Sequence, residues 1–251
     1  MKVKIFVAIA ASAALLMSCK EVINITSGLK GETVVASGPT VKQERQMSDI
    51  SEIDVSNGLS VVYVQSPTLK LTVEAPENIQ EYILTEIKNG ELSVKTKPNT
   101  SLRINGGKVL VTVMAPSVNE FDVSSGASMA VKEKYSNPTG SVSIDVSSGA
   151  SFAMASLTAS SAEIEVSSGA SASVAGIEVD SFEASASSGA SLSLSGRAST
   201  AELKSSGGAS ISASGFKADA GKVSASGGAS VSSSIRNASV HSSGGGSVNN
   251  H

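Results

Sequence analysis

A unit of the form Ser-x-Gly-x-Ser recurs along most of this chain, and it limits the possible folds more than any other feature of the sequence. Successive central glycines are separated by 23, 20, 20, 19, 20 and 17 residues. The seven central glycines are Gly126, Gly149, Gly169, Gly189, Gly208, Gly228 and Gly245. An eighth copy lies upstream at residues 56–60. A flexible serine/glycine linker has no reason to keep such a phase, so the pattern predicts a folded repeat protein.

The residues around each glycine predict the secondary structure of the repeat. Apolar or small residues alternate with Ser, Asp or Glu, as Ile144, Val146, Ala150 and Phe152 do around Gly149. Alternation with a period of two is typical of a half-buried strand. One such strand cannot bury its apolar face alone. We therefore expect successive copies to stack at the ~4.8 Å spacing of neighbouring strands, with aliphatic ladders inside and serine ladders outside.

The predicted fold is all-β: a right-handed parallel β-helix (β-solenoid) with about 20 residues per rung and an irregular N-terminal part. Regular solenoid repeats are expected over 121–251. Residues 46–120 are expected to form irregular rungs or a cap, or alternatively a small separate β domain. Within them, residues 76–87 have a weak helical period, and Asn89-Gly90 predicts a turn.

Two serines occupy positions of the repeat that should face inward, Ser205 and Ser242. A buried hydroxyl without a hydrogen bond is costly. Each is therefore expected to bond within its ladder or to lie near an end of the stack.

The N-terminal residues have the pattern of an export signal. Residues 1–18 combine a positive start with a short apolar stretch, which predicts a signal peptide. The segment Leu16-Met17-Ser18-Cys19 resembles a bacterial lipobox, and Cys19 is the only cysteine in the chain. Cys19 is therefore predicted to be lipidated, with 19–45 as a tether to the membrane.

Composition argues against two classes of function. Charged residues are only 16% of the chain and the net charge is −3, so no basic excess favours nucleic-acid binding. The two histidines, His241 and His251, lie near the C-terminus, and no residues that could activate a serine nucleophile accompany the many serines. The expectation is a protein without catalytic residues, cofactor or nucleic-acid partner.

Acidic residues recur four or six positions before the repeat glycines and are expected to face outward as a column. They are Glu120, Asp122, Asp145, Glu163, Glu165, Glu183 and Glu202. One interpretation is a row of weak Ca²⁺ sites, with Asp122, Asp145, Glu163 and Glu165 as candidate ligands, because Ca²⁺ prefers oxygen ligands. The other is a solvated face that keeps the protein soluble. A recurring Asp paired with the glycine-rich turns, as calcium-binding repeats usually have, is missing.

The serine ladders also have two interpretations. A flat array of hydroxyl groups on a rigid backbone could bind glycans or another ordered polar surface. Alternatively, small polar residues simply suit a tightly turning coil. The sequence leaves both open, and the binding residues unassigned.

Several segments together resemble a known family. They are residues 53–61, 71–75 and 89–94, followed by the Ser-Gly-Ala-Ser repeats, and the likeness spans roughly 45–250. In this order they are similar to the putative autotransporter-adhesin head domain called the GIN domain. The resemblance implies a β-helical, exported lipoprotein of Bacteroidetes-type bacteria, and it brings no catalytic residues.

The expected function is a non-catalytic, membrane-anchored adhesin-like binding module of the cell envelope. Its expected location is the outer membrane, facing the periplasm or the cell surface. Glycans and matrix proteins are the candidate ligands. The alternative is a structural envelope protein that self-associates through the ends or faces of the solenoid.

Overall fold

A computed structural model describes residues 31–105 and 109–251. The predicted signal peptide, Cys19 and the first part of the predicted tether lie outside the described residues. The described chain is nearly all-β and forms a β-solenoid of about 7 turns with about 20 residues in each. The predicted fold class is confirmed. In the described residues no helix is long and apolar enough to span a bilayer.

Seventeen strands and one short 3₁₀ helix, Glu77–Tyr82, make up the described secondary structure. The strands of the N-terminal part are β1 (Glu32–Val35), β2 (Thr40–Arg45), β3 (Glu52–Val55), β4 (Ser60–Gln65), β5 (Lys70–Pro76), β6 (Ile83–Lys88), β7 (Glu91–Thr96), β8 (Thr100–Arg103), β9 (Leu110–Ala115) and β10 (Glu120–Val123). Those of the repeats are β11 (Ser128–Val146), β12 (Ser151–Val166), β13 (Ser171–Ala186), β14 (Ser191–Ser205), β15 (Ser210–Ala225), β16 (Ser230–Ser242) and β17 (Ser247–Asn250).

The repeats stack in the register that the sequence predicts. Strands β11 to β17 pair in parallel, each with the next. One inward column runs Phe121, Ile144, Ile164, Ala184, Leu203, Val223, Val240. Its first six members are at most 1% exposed. The aliphatic ladder predicted from the repeat is confirmed.

The repeated glycine turn closes each coil. At Ser148 and Gly149 the values of φ are 53° and 71°, so both central residues are left-handed, and the Ala150 N–H donates to the Ser147 carbonyl at 3.0 Å. The Gly149 N–H donates to the Ser168 carbonyl of the next coil at 3.1 Å. Each turn is therefore held both within itself and to its neighbour, which keeps the strands between the turns in phase.

Strands β1 and β8 form a two-stranded sheet of their own, and the other strands of the N-terminal part belong to the same 15-stranded sheet as the repeats. Strand β3 pairs in parallel with both β7 and β10, and β4 pairs in parallel with β9 and β11. Antiparallel pairs are confined to this part and involve β2 with β5, β5 with β9, and β6 with β7. Mixed pairing makes this part irregular, whereas the repeats form uniform coils.

One prediction for this part is wrong, and a second holds only in part. Residues 31–45, predicted as the end of a tether, contain β1, which pairs with β8, and β2, which pairs with β5. Their side chains are mostly exposed, so they carry little of the hydrophobic alternation that marks a strand. The weak helical period of residues 76–87 corresponds to a 3₁₀ turn followed by β6. The predicted Asn89-Gly90 turn joins β6 to β7, and that pairing outweighs the helical preference.

Aromatic side chains fill the first coils of the core. Phe121 lies 5.6 Å from Tyr63, 6.0 Å from Tyr135 and 5.9 Å from Phe152, measured between ring centroids. The Tyr63 hydroxyl donates to the Ala115 carbonyl at 2.9 Å, and the Tyr135 hydroxyl donates to the Val118 carbonyl at 2.7 Å. The polar atoms of these buried rings are thus satisfied, as burial requires.

The prediction for the inward serines fails at Ser205. Its hydroxyl is buried and has no hydrogen-bond partner in the described chain. Its ladder neighbours are Ala186 and Ala225, which offer no polar side chain. Ser242, by contrast, is exposed at the last position of β16.

Candidate functional site

One lateral face of the solenoid is built from serine. The outward column at the start of β4 and of β11 to β17 contains eight serines, one from each strand. The column consists of Ser60, Ser128, Ser151, Ser171, Ser191, Ser210, Ser230 and Ser247. Two residues further along each strand lies a second outward column of Val62, Ala130, Ala153, Ser173, Ser193, Ser212, Ser232 and Asn249. We call these two columns the serine face.

The serine face is uncharged and well ordered. None of the sixteen residues in its two columns is charged, and most of them are exposed. At two steps of the first column the hydroxyls bond to one another, from Ser128 to Ser60 at 2.9 Å and from Ser230 to Ser210 at 3.2 Å. Short side chains on paired strands have little conformational freedom left to lose. The face therefore offers a fixed array of hydroxyl donors and acceptors at the ~4.8 Å strand spacing.

A second lateral face is acidic, as the sequence predicts. One outward column runs Glu91, Glu52, Glu120, Ser143, Glu163, Glu183, Glu202, Lys222. The next outward column runs Ser93, Asp54, Asp122, Asp145, Glu165, Ser185, Lys204, Ser224. We call these two columns the acidic face. An open groove of about 330 Å³ lies on it, lined in part by Glu120, Glu163 and Glu183.

The sequence-predicted calcium candidates lie on this face but do not form a single cluster. Asp122, Asp145 and Glu165 follow one another in one column, and Glu163 lies in the other. Among the described residues, the one group of three carboxylates whose oxygens all lie within 4.8 Å of one another consists of Glu52, Glu120 and Asp122. Only Asp122 of the four candidates belongs to this trio. Calcium binding by the column remains a prediction.

Glu52 is the member of the trio that sequence reasoning missed. Pairing of β3 with β10 places Glu52 beside Glu120 and Asp54 beside Asp122, although 68 residues separate the members of each pair. The signal was present, because Glu52 and Asp54 precede the upstream Ser-x-Gly-x-Ser copy as Glu120 and Asp122 precede the next one.

Burial and mutual repulsion perturb the acids of the trio. Partial burial, followed by the neighbouring charges of Asp145 and Glu120, raises the pKa of Asp122 to about 6. Partial burial and the charge of Glu120 also raise the pKa of Glu52, whose carboxyl hydrogen-bonds with that of Asp122. Like charges on adjacent strands repel, and a proton shared within the trio relieves that repulsion.

Replacing Asp122 with asparagine is expected to stabilise the protein at pH 7.5. The pKa of Asp122 in the folded chain lies above the ~3.9 of an unfolded Asp. The stability that protonation provides is therefore complete below pH ~4 and is lost as the pH rises through ~6. Because the side chain is partly solvated, we expect a gain on the order of 1 kcal/mol and a flatter pH dependence of thermal melting. A lower melting temperature for Asp122→Asn would contradict this account, and Glu163→Gln, outside the trio, serves as the control.

Salt bridges neutralise part of the negative charge at the C-terminal end of the acidic face. Lys204 lies 2.7 Å from Glu183 and 3.1 Å from Glu202, measured from Nζ to the nearer carboxylate oxygen. These side chains are roughly half exposed, so the contacts contribute little to the free energy of unfolding. Negative charge is therefore concentrated at the first coils, around the trio.

This chain is similar to a known family and to several solved structures. A family model described as “Putative auto-transporter adhesin, head GIN domain” matches residues 49–251. A structure of a “putative adhesin” from Parabacteroides distasonis ATCC 8503 is similar, with a TM-score of 0.71 and 19% identity over 88% of this chain and 100% of that chain. A “putative adhesin” from Parabacteroides merdae ATCC 43184 gives a TM-score of 0.70 and 18% identity over 88% of this chain and 99% of that chain.

A third solved structure carries a different name. A “putative lipid binding protein” from Parabacteroides distasonis ATCC 8503 gives a TM-score of 0.69 and 19% identity, over 88% of this chain and 100% of that chain. At such identities the likeness to these structures shows a shared fold. No curated protein matches the chain.

Proposed function

The chain belongs to the family described as “Putative auto-transporter adhesin, head GIN domain”, and from this membership we propose that it is a non-catalytic, membrane-anchored adhesin-like binding module of the cell envelope. The family is adhesin-like, and its description names no enzyme. Membership in it favours a place at the cell surface or in the envelope. The resemblance noted in the sequence is thus confirmed at the level of the family.

The observation that carries the proposal is the serine face. Its eight stacked serines present hydroxyl groups at a repeat set by the backbone, and no charged side chain interrupts the two columns. Because the array is held by strand pairing, a polar ligand that matches it loses little binding free energy to ordering of the protein. Neutral glycans, with hydroxyl groups along their length, are the ligand class that suits such a surface.

Anchoring is proposed through Cys19. The lipobox-like segment and the lone cysteine support acylation there, and two or more acyl chains give stable membrane attachment. Lipid on Cys19 would place the solenoid at the outer membrane, joined to it by the residues that precede β1.

The proposal is tested with protein lacking residues 1–19, applied to immobilised neutral glycans and matrix proteins. The double variant Ser173→Arg/Ser193→Arg puts two bulky charges on the serine face. Its binding to the ligand is expected to be at least about tenfold weaker. The control combines Ser181→Arg with Ser239→Arg, at two serines that are also exposed but lie outside the serine face. Equal losses in both variants, or no ligand for the unmodified protein, would overturn the proposal.

Self-association is the second candidate function, and one observation favours it. Val240 is 50% exposed, whereas its column neighbours Val223 and Leu203 are at most 1% exposed. An exposed inward position can be covered by a second copy of the chain. Light scattering after size exclusion separates the two functions, because oligomers that grow with concentration and dissociate in Val240→Asp favour the structural role.

A further inference from the structure

The last long strand of the solenoid, β16, has an open edge over its second half. On one side β16 pairs with β15 as far as Ser242. On the other side β17 covers only Ser230–Ser233. The side-chain amide of Asn250 takes the next place, because it accepts from the Ile235 N–H at 2.9 Å and donates to the Ile235 carbonyl at 2.8 Å. Beyond this cap, no described strand pairs with the outer edge of residues 236–242.

The hydrogen bonds of the earlier coils show which groups of this edge lack a partner. The Ala225 carbonyl accepts from the Ser243 N–H of the next coil at 3.0 Å, and its counterparts on the coils before it accept in the same way. Ser242 is the next member of that column, and no N–H in the described part of the chain donates to its carbonyl. Since alternate residues of a strand point to the same neighbour, the N–H and C=O groups of Ala238 and Val240 also face the open edge. Such an edge is a template for a further strand.

The side chains of this edge are apolar on the inner side and uncharged along the strand. Val240 is 50% exposed, and Ala238 is only partly buried against the core. Residues 237–242 contain no Lys, Arg, Asp or Glu. The edge strands β2 and β6 at the other end of the solenoid do carry charges, at Lys42, Glu44, Arg45, Glu86 and Lys88. Charged edges resist strand pairing, so the C-terminal edge is the one suited to it.

We propose that this edge pairs with the same edge of a second copy of the chain, antiparallel about a two-fold axis at Val240. In that register Ala238 faces Ser242 of the other copy, and the two Val240 side chains face each other. Each facing pair exchanges two N–H···O bonds, so all three residues find partners for their free groups. A two-fold contact uses up the same surface on both chains, and association therefore stops at a dimer.

A second solenoid suits this end better than a single extended peptide does. A two-fold axis perpendicular to the paired strands leaves their inner sides on the same side. The inward column that ends at Val240 therefore continues into that of the other copy. The rest of the core at this end, including the partly buried Ala238 and Val248, is covered by the same contact. The inference rests on the second candidate function, self-association, and assigns to it a contact surface and a number of chains.

The test introduces single cysteines into the full chain in non-ionic detergent, with Cys19→Ser in every variant, because Cys19 is the only native cysteine. The proposed axis brings the two thiols of Val240→Cys together at a Cα separation of ~5.5 Å, which a disulfide allows. Oxidised glutathione is the oxidant, and it is reduced as the two thiols lose their protons and form the bond. We expect a covalent dimer on a non-reducing gel. Gln43→Cys, at an exposed position of β2, is the matched control and is expected to stay monomeric.

Competition shows whether the contact depends on Val240. An about tenfold excess of the Cys19→Ser chain should lower the yield of covalent dimer about tenfold, because most Val240→Cys chains then pair with a chain that lacks the thiol. The same excess of a chain that also carries Val240→Asp should lower it less than about twofold, since a carboxylate buried against an apolar partner is costly. Circular dichroism checks that Val240→Asp keeps its strand content.

Three outcomes overturn the inference: no covalent dimer of Val240→Cys, equal cross-linking of Gln43→Cys, or equal competition by the two competitors. Light scattering separates its failure from that of self-association. Oligomers larger than a dimer that persist in Val240→Asp would leave self-association standing without this contact. A chain that is monomeric at every concentration would remove both. The adhesin-like function is judged separately, by the binding of the serine-face variants to neutral glycans.

Discussion

Replacing Phe121 with alanine is expected to destabilise the protein by about 3–5 kcal/mol, the range for truncation of a buried aromatic residue. Phe121 is 0% exposed and contacts three other aromatic rings, those of Tyr63, Tyr135 and Phe152. Its strand, β10, pairs with β3 on one side and β11 on the other. The cavity would therefore open where the N-terminal part joins the repeats, and rigid paired backbones on both sides would limit its collapse.

Urea unfolding followed by circular dichroism measures the loss. Phe121→Leu keeps most of the buried volume and is expected to cost less than about 1.5 kcal/mol. Leu69→Ala, at a position that is 36% exposed, provides the surface control and should change stability by no more than about 0.5 kcal/mol. If Phe121→Ala costs as little as Leu69→Ala, the aromatic cluster does not hold the two parts together.

The regular half of this fold was readable from the sequence because one local signal repeats. Each turn needs two left-handed residues, and the Ser-Gly or Gly-Gly pair that satisfies this need recurs nearly every 20 residues. Once the turns are fixed, alternation fixes which side chains point inward. The column from Phe121 through Ile144 and Ile164 could therefore be predicted residue by residue.

The N-terminal part was less predictable because its pairing is not local. Strand β2 lies on β5, about 30 residues away, and β1 lies on β8, nearly 70 residues away. Exposed edge strands such as these carry little hydrophobic pattern. Neither strand was distinguishable from a tether before its partner was known.

On the acidic face, too, local spacing was predictable from the sequence and non-local strand pairing was not. The acidic column was predicted from spacing alone, but Glu52 joins Asp122 only through the pairing of β3 with β10.

Replacing Gly196 with alanine is expected to destabilise the protein by about 3 kcal/mol or more, because conformational strain and steric overlap act together. Gly196 has a φ of +130°, a region that L residues rarely adopt. A Cβ there would overlap the backbone nitrogen and oxygen of Ile177, its partner on the preceding coil. Backbone atoms within a paired ladder cannot move aside without breaking hydrogen bonds.

Gly228→Ala separates the conformational strain from the steric overlap. Gly228 also has a positive φ, of 77°, but a Cβ there would meet no atom within 4 Å. Conformational strain alone should then cost roughly 1–2 kcal/mol. Thermal melting ranks the variants, and amide hydrogen exchange locates the damage, which should appear at Ile177 and Phe216 on either side of Gly196. Equal melting temperatures for the two variants would mean that the coils can move apart at this corner, and that the close approach of β13 to β14 contributes little to stability.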